Sequence, residues 1–272
     1  MFEILTSGDA LVALFTLTFL EIILGVDNII FISIAASKLP KEHQKKATNI
    51  GLMLAMVIRV ILLFGISWLV AMEAPFWNIN LSWIKGGISG QGLILFVGGL
   101  FLLYKSTSEI HEKVEDNGHN EREVKKGRST TLTKAIVQIS LINIVFSFDS
   151  ILTAVGMTNG IGNSPTDALI IMVIAVVISV LIMMAFAAPV GRFVNDHPTV
   201  QLLGMSFLIL IGFMLIAEGA HLSHLEIFGS KVGVIPKGYL YFTIAFSLFI
   251  EFINMRFRKR TSSIVRNEQE EN

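Results

Sequence analysis

The chain has 272 residues, of which 53% are hydrophobic and only 15% are charged. Soluble domains carry about 25% charged residues, so this composition disfavours a soluble fold. Lysine plus arginine and aspartate plus glutamate number 21 each, which leaves no excess positive charge to attract nucleic acid. The lack of cysteine excludes disulfides, thiolate zinc sites, iron–sulfur clusters and cysteine nucleophiles.

The apolar residues are grouped into long runs. A bilayer core about 30 Å thick needs roughly 20 mostly apolar residues per helix. Because the N-terminus has neither a basic segment nor a small-residue cleavage site, we expect the first run to be kept as a span. The runs predict an all-α polytopic membrane protein with seven transmembrane helices, at about 9–35, 50–72, 88–104, 134–157, 167–188, 201–220 and 238–255.

The charges of the loops predict the orientation. Seventeen lysines and arginines lie in the loops and tail on one side, three lie on the other, and Arg59 is inside a span. The positive-inside rule therefore places the N-terminus outside and the C-terminus in the cytoplasm. The short loop that contains Lys38, Lys41, Lys45 and Lys46 is the safest indicator, since long charged loops count for less.

Two spans resemble each other around an aspartate. Residues 21–30 of span 1 align without gaps to residues 143–152 of span 4, and each segment has a polar residue six positions before the aspartate. Residues 98–102 of span 3 and 211–215 of span 6 are weaker counterparts. Two three-span units in succession have opposite topology, which is a transporter architecture with its site near the midplane. The predicted organisation is a first repeat at 1–104, a charged cytoplasmic linker at 105–133, a second repeat at 134–220, an outer loop and span 7 at 221–255, and a basic cytoplasmic tail at 256–272.

Ionisable residues within spans cost about 2.5–3.5 kcal/mol each on insertion scales, so they indicate function. Pairing with Arg59 is a purely structural explanation, but one arginine can satisfy only one or two carboxylates. Carboxylate, amide and hydroxyl oxygens form a hard ligand set that suits Mn²⁺, Mg²⁺ or Ca²⁺ better than copper or zinc. The candidate metal ligands are Glu21, Asp27, Asn28, Asn143, Asp149, Ser150 and Glu218.

Helix geometry limits how these ligands could converge. Neighbours such as Asp27 and Asn28 diverge by about 100° on a regular helix. Both would face one ion only if the helix bends or unwinds, and Gly25 and Ser147 are the expected places for such breaks. Kinks that serve packing alone are the alternative.

Three further polar positions lie near span ends. Spacing of three would put Glu218, His221 and His224 on one helix face, but the two histidines are better explained as wet interfacial residues. Glu218 itself is left open between ligand and interfacial residue. Glu251, close to the basic tail, is interpreted as a satisfied boundary charge.

A family resemblance appears at the acidic segments EIILGVDNIIF and IVFSFDSILTAVGMT, and again at FLILIGFMLIAEGAHL and IPKGYLYFTIAFSLFIEFIN. Together they resemble the TerC family of integral membrane proteins over about residues 20–255. The resemblance implies manganese export, with Glu21, Asp27 and Asp149 as essential acids and Asn28 and Ser150 beside them. We expect a multi-pass protein of a prokaryotic plasma membrane, with Mn²⁺ as the transported ion and no prosthetic group.

Three hypotheses remain at this point. The first is Mn²⁺ efflux by alternating access at the Asp27/Asp149 site. An intramembrane aspartyl protease also needs two aspartates, but Gly25-Val26 and Ser147-Phe148 precede them where Tyr-Asp and Gly-x-Gly-Asp motifs are required, so we expect no enzyme. The third is a non-transporting partner that supplies metal to exported proteins or to secretion machinery. It needs a large exported loop, and the outward loops here are short.

Overall fold

The structure, a computed structural model, describes residues 7–116, 131–158 and 165–270. Seven helices in these ranges are long and apolar enough to cross a membrane, which confirms the predicted all-α polytopic architecture. The elements are α1 (Gly8–Ser37), α2 (Lys41–Phe64), α3 (Ile66–Ala71), β1 (Pro75–Asn80), β2 (Ile84–Ser89), α4 (Gly90–Asp116), α5 (Leu132–Thr158), α6 (Pro165–Asp196), α7 (Pro198–Leu222), β3 (Glu226–Ile227), β4 (Ser230–Lys231) and α8 (Lys237–Glu270).

The helices extend beyond the apolar runs that predicted them. α2 begins at Lys41 and ends at Phe64, and α3 covers the remainder of the predicted second span after Gly65. α4 continues to Asp116, so the predicted linker begins as helix, while residues 117–130 lie outside the described part. The tail predicted after residue 255 continues α8. Hydropathy marks only the part of a helix that lipid surrounds, whereas backbone hydrogen bonding continues into water.

Three helix pairs form the body of the bundle: α1 packs along α6, α2 along α5, and α4 along α7. Two short connections make helices that follow each other antiparallel neighbours. Only residues 38–40 separate α1 from α2, and only His197 separates α6 from α7. Aliphatic side chains such as Leu17, Leu52 and Ile171 are buried in the common core. Large apolar side chains such as Phe15 remain exposed, as expected for a surface that lipid covers.

Glycines let the backbones of α4 and α7 come into direct contact. A Cβ atom at Gly99 would lie 2.6 Å from the carbonyl oxygen of Gly212, and one at Gly212 would lie 3.0 Å from the carbonyl oxygen of Gly99. Two turns away, a Cβ at Gly219 would lie 2.6 Å from the carbonyl oxygen of Gly92. Because the obstructing atoms are backbone atoms, they cannot move aside as a side chain would. Small residues at such contacts are the usual means of close helix association in membranes.

A small antiparallel sheet at one end of the bundle was not anticipated from the sequence. Its order is β1-β2-β3-β4, so β2 joins the segment after α3 to the segment after α7. Trp77, Trp83 and Phe228 are exposed on it, and the last two rings contact each other. Exposed aromatic residues at a bundle end are typical of the membrane–water interface. The strands were missed because they are short and follow apolar spans directly.

Substituting Gly99 by alanine should destabilise the α4–α7 contact, because the new methyl group would overlap a carbonyl oxygen. We expect a loss of about 1–3 kcal/mol, as for other overpacked sites, measured as a lower melting temperature of the detergent-solubilised protein. Gly156→Ala on α5 is the matched control, since nothing lies within 4 Å of a Cβ there. Equal melting temperatures for the two variants would contradict the close-contact explanation.

Candidate ion-binding site

A buried ion pair joins α1 and α2 in the interior of the bundle. The residues Glu21 and Arg59 are only 2% and 4% exposed. Arg59 Nη1 donates to Glu21 Oε2 in a close contact, and Arg59 Nε donates to Ser147 Oγ on α5 at 3.3 Å. For Glu21, the structure therefore shows the pairing with Arg59 that the sequence offered as a structural explanation. The guanidinium connects three helices.

A second charged cluster lies toward the end of the bundle that carries the sheet. Lys237, the first residue of α8, donates from Nζ to Asp149 Oδ1 at 2.7 Å and to Thr153 Oγ1 at 2.8 Å. The carboxyl group of Glu218 on α7 lies within hydrogen-bonding reach of Asp149. The structure thus brings together two of the predicted ligands, Asp149 and Glu218, and adds an ammonium group to them.

The balance of charge in this second cluster favours cations. Two carboxyl groups face one ammonium, so the cluster carries a net negative charge when both are ionised. The side chains of Asp149 and Lys237 are 13% and 23% exposed, which is less complete burial than that of Glu21 and Arg59. Water can therefore reach this cluster more easily than the inner pair.

α1 and α5 are helical through Gly25 and Ser147, so neither helix is unwound at the two expected places. No water in the bilayer core would replace the hydrogen bonds lost in a break. Asp149 and Ser150 consequently point in different directions. Ser150 is 2% exposed, and its hydroxyl donates to the carbonyl of Ser147 at 3.2 Å. Asn143 similarly donates from Nδ2 to the carbonyl of Ile139 at 2.9 Å.

Asn28 presents an unused oxygen in the core. The residue is 4% exposed, and its Oδ1 has no hydrogen-bond partner among the described residues. A buried acceptor without a partner is costly, so such an atom suggests a donor or a cation. Its neighbour Asp27 lies on α1 ten residues before Ser37, but the side chain of Asp27 is outside the described part. Its role as a ligand stays a prediction.

The predicted ligands do not share one place in this conformation. Within residues 7–116, 131–158 and 165–270, with the Asp27 side chain set aside, no three His, Asp or Glu residues are grouped to hold a metal ion. Ser147 and Asp149, two residues apart on α5, point to opposite sides of that helix, about 200° apart. Ser147 contacts Arg59 on one side of α5, and Asp149 contacts Lys237 on the other. A complete metal site from this ligand set would require the helices to move.

The remaining polar residues at the span ends are accounted for locally. His221 contacts the carbonyl oxygen of Val232 at 3.0 Å through Nδ1, and His224 has a left-handed backbone, with φ 49°. Both are exposed beside the sheet, as an interfacial position predicts. Glu251 accepts a hydrogen bond from the Thr199 hydroxyl at 2.5 Å, which agrees with its interpretation as a satisfied boundary charge.

Lys237 is the residue that sequence reasoning missed, because it was counted only as one of three cations on the outer side. A signal was present. Lys237 stands at the first position of a span, directly after Pro236. A positive charge at a helix N-terminus is opposed by the helix dipole, so it suggests a compensating anion nearby.

The buried pair predicts an order of stability among variants. Glu21→Gln leaves an unpaired guanidinium that cannot lose its charge, at a cost of about 3–5 kcal/mol. Arg59→Gln should cost less, because a proton can neutralise the carboxyl group left behind. We expect melting temperatures to rank native, Arg59→Gln, then Glu21→Gln, with Glu251→Gln as a control near the native value. Native-like stability of Glu21→Gln would refute the interpretation.

Comparison with known proteins supports the membrane assignment. Residues 6–265 match the model described as the integral membrane protein TerC family. A UPF0053 protein of Haemophilus influenzae is 40% identical over 95% of this chain and 99% of its own. The UPF0053 inner membrane protein YgdQ of Escherichia coli K12 is 43% identical over 94% of this chain and 96% of its own.

A longer relative contains the same region as part of a larger chain. The UPF0053 inner membrane protein YoaE of Escherichia coli K12 is 41% identical over 94% of this chain, which covers 45% of YoaE. No solved structure matches this chain. The family match spans nearly the entire sequence and agrees with the seven apolar helices. The chain is an integral membrane protein and belongs to the TerC family.

Proposed function

We propose that this protein is a divalent-cation transporter that exports Mn²⁺ from the cytoplasm by alternating access. The observation that carries the proposal is the ammonium group of Lys237, held by Asp149 at 2.7 Å beside Glu218. A cation supplied by the chain itself occupies an acidic site on a membrane-spanning helix. A metal ion that reached the same carboxyl groups would compete with that ammonium group for them.

The chemistry of the ligands supports a hard divalent ion. The Asp149 and Glu218 carboxyl groups and the unpartnered Oδ1 of Asn28 are all oxygen donors. Such donors suit Mn²⁺, Mg²⁺ or Ca²⁺. The family resemblance selects Mn²⁺ among them. A site without imidazole or thiolate holds Mn²⁺ loosely enough to release it, as conduction requires.

The two aspartates mark two stages of the proposed path. Asp27 lies ten residues before the end of α1 and Asp149 nine residues before the end of α5, which is about 14–15 Å at 1.5 Å per residue. Because α1 and α5 are the first and fourth of seven successive spans, they cross in opposite directions. Asp27 is then nearer one membrane face and Asp149 nearer the other. Metal would enter at Asp27 and leave at Asp149 as Lys237 takes its place.

The Glu21–Arg59 pair lies between these stages and has a separate role in the proposal. Its charges compensate each other while no metal is present, so the centre of the bundle avoids an uncompensated charge. An arriving divalent ion changes that balance and favours rearrangement around Arg59. The contact of Arg59 with Ser147 extends the change to α5.

We also propose that α1, α2 and α4 form one repeat and α5, α6 and α7 its inverted copy. Under this relation α1 packing on α6 corresponds to α5 packing on α2, and both pairs are in contact. The α4–α7 contact would lie on the symmetry axis, which agrees with the reciprocal approach of Gly99 and Gly212. Inverted repeats give alternating access by rocking one unit against the other.

For orientation, we propose that the sheet faces outward and that residues 38–40 and the end of α8 face the cytoplasm of a bacterium. The positive-inside rule supports this arrangement. The relatives named as inner membrane proteins support an inner membrane location.

The transport proposal predicts cell manganese content. In an exporter-deficient host challenged with Mn²⁺, cells with the native protein should contain less manganese than cells with Asp149→Asn or Asp27→Asn at matched membrane levels. Elemental analysis would measure manganese, magnesium and calcium together. Asp196→Asn is a control, because that exposed acid ends α6 away from both clusters. Equal manganese in all strains would overturn efflux and favour the metal-supplying partner.

Removing the tethered cation should change ion affinity. Lys237→Gln leaves Asp149 and Glu218 without their competitor, so half-saturation by Mn²⁺ should occur at a several-fold lower concentration in proteoliposomes. Release should become slower, because no ammonium group replaces the departing metal. Lys231→Gln, an exposed lysine on β4, makes the same charge change as a control. If both variants shift half-saturation equally, Lys237 does not act as a competitor.

A further inference from the structure

A crevice of about 220 Å³ lies where the end of α1, the beginning of α2 and the end of α6 meet. This is the end of the bundle opposite the sheet, and Ser33, the first α1 residue of the crevice, lies twelve residues after Glu21. Small residues, among them Ala36, Ala187 and Gly191, form part of its wall. The space is sufficient for a small polyatomic ion with water.

Three cationic side chains line the crevice, and none of its lining residues within the described part of the chain is acidic. They are Lys41 and Lys45 on the first turns of α2 and Arg192 near the end of α6. Within the part of the chain that the structure describes, none of the three makes an ion pair. In a chain with equal numbers of acidic and basic residues, three uncompensated cations around one cavity indicate an anion site.

Lys38, at the same end of the bundle, differs from the crevice cations because two carboxylates neutralise it. Lys38, three residues before Lys41, contacts Glu109 at 2.5 Å and Glu112 at 2.9 Å on α4. Burial acts to lower the pKa of Lys38, but its hydrogen bonds to Glu109 and Glu112 hold that pKa above its usual value. Lys38 therefore stays charged and paired. Among the described residues, no carboxyl group forms an ion pair with Lys41, Lys45 or Arg192.

Two further features add donors to the cavity. The N-cap of α2 is Pro40, whose side chain makes no capping hydrogen bond. The His43 amide donates to the Pro40 carbonyl at 2.8 Å, so this terminus offers the amides of Lys41 and Glu42 and the positive end of the helix dipole. Asn195 lines the cavity, and its Oδ1 is buried without a hydrogen-bond partner among the described residues. The two ends of a carboxamide have nearly the same shape. Rotating that group places Nδ2 there as a donor that an anion oxygen would satisfy.

We propose that this crevice binds a phosphate group through Lys41, Lys45, Arg192 and Asn195. Phosphate matches a guanidinium fork, two point charges and a helix N-terminus better than a carboxylate does, because it offers several oxygens and more charge. The crevice lies at the ends of three spans, and basic pockets between spans bind anionic lipid headgroups in other membrane proteins. The phosphate can belong to a lipid headgroup or to a free anion. Bound there, it joins the beginning of α2 to the end of α6.

The test is the melting temperature of the full chain in neutral detergent. Inorganic phosphate is compared with chloride at equal ionic strength, and added phosphatidylglycerol is compared with phosphatidylcholine. We expect a rise of several degrees with phosphatidylglycerol, with phosphate, or with both. A response to phosphatidylglycerol alone assigns the site to lipid, and a response to phosphate as well assigns it to the phosphate group itself. No response to either overturns the proposal.

Matched triple variants distinguish the crevice from general surface charge. Lys41→Gln/Lys45→Gln/Arg192→Gln should lose the rise. The control Lys46→Gln/Lys134→Gln/Arg256→Gln removes three exposed cations outside the crevice, at the same end of the bundle, and should keep it. Equal responses of the two triples would reject the site. Arg192→Gln alone covers the case in which the triple does not fold, and it should lose at least half of the rise.

Discussion

The ion pair between Glu21 and Arg59 joins α1, α2 and α5 at a depth where lipid cannot solvate a charge. An arginine there cannot lose its proton, so a carboxylate must remain within reach in every conformation that the protein visits. This requirement limits how far α1 and α2 can separate. It also means that motion in the centre of the bundle involves exchange of partners around Arg59 rather than exposure of a bare charge.

In the second charged cluster, which consists of Asp149, Glu218 and Lys237, a positive charge is likewise paired with a carboxylate. Lysine is a point charge on a flexible stem, whereas arginine is a rigid fork, so Lys237 can leave Asp149 with less geometric loss than Arg59 would suffer on leaving Glu21. The greater exposure of Lys237 and Asp149 also supplies water to the separated groups. One ion pair is therefore suited to hold helices together, and the other is suited to exchange its cation.

The close approach of α4 and α7 supports both clusters. Glu218 stands one residue before Gly219, which contacts the backbone of Gly92. The helix that presents Glu218 to Asp149 is thus placed by a backbone contact with little freedom to slide. The sheet adds a second connection at the same end, because β2 pairs with β3 immediately after α7. The α4–α7 contact is thus made between backbones, whereas the α5–α8 contact is made by an exchangeable ion pair.

Sequence reasoning identified the spans and most of the charged positions because their signals are local. A buried acid such as Glu21 or Asp149 is conspicuous inside an apolar run, and the cost of burying it requires an explanation whatever its neighbours are. Glu251 accepts a hydrogen bond and the two histidines near the sheet are exposed, in agreement with what their distance from the span ends suggested. The helices are not unwound at Gly25 and Ser147. Unwinding was expected there on the assumption that sequence neighbours such as Asp149 and Ser150 bind one ion together.

The sequence by itself determined seven membrane-spanning helices, their acidic positions and the family. Each follows from hydropathy or from short motifs that do not depend on distant residues. Only the tertiary structure decided the partners. Lys237 meets Asp149 from 88 residues away, and Arg59 meets Ser147 from the same separation. Pairing across such distances is set by which helix faces meet, and glycine contacts, short connections and the sheet decide those faces together.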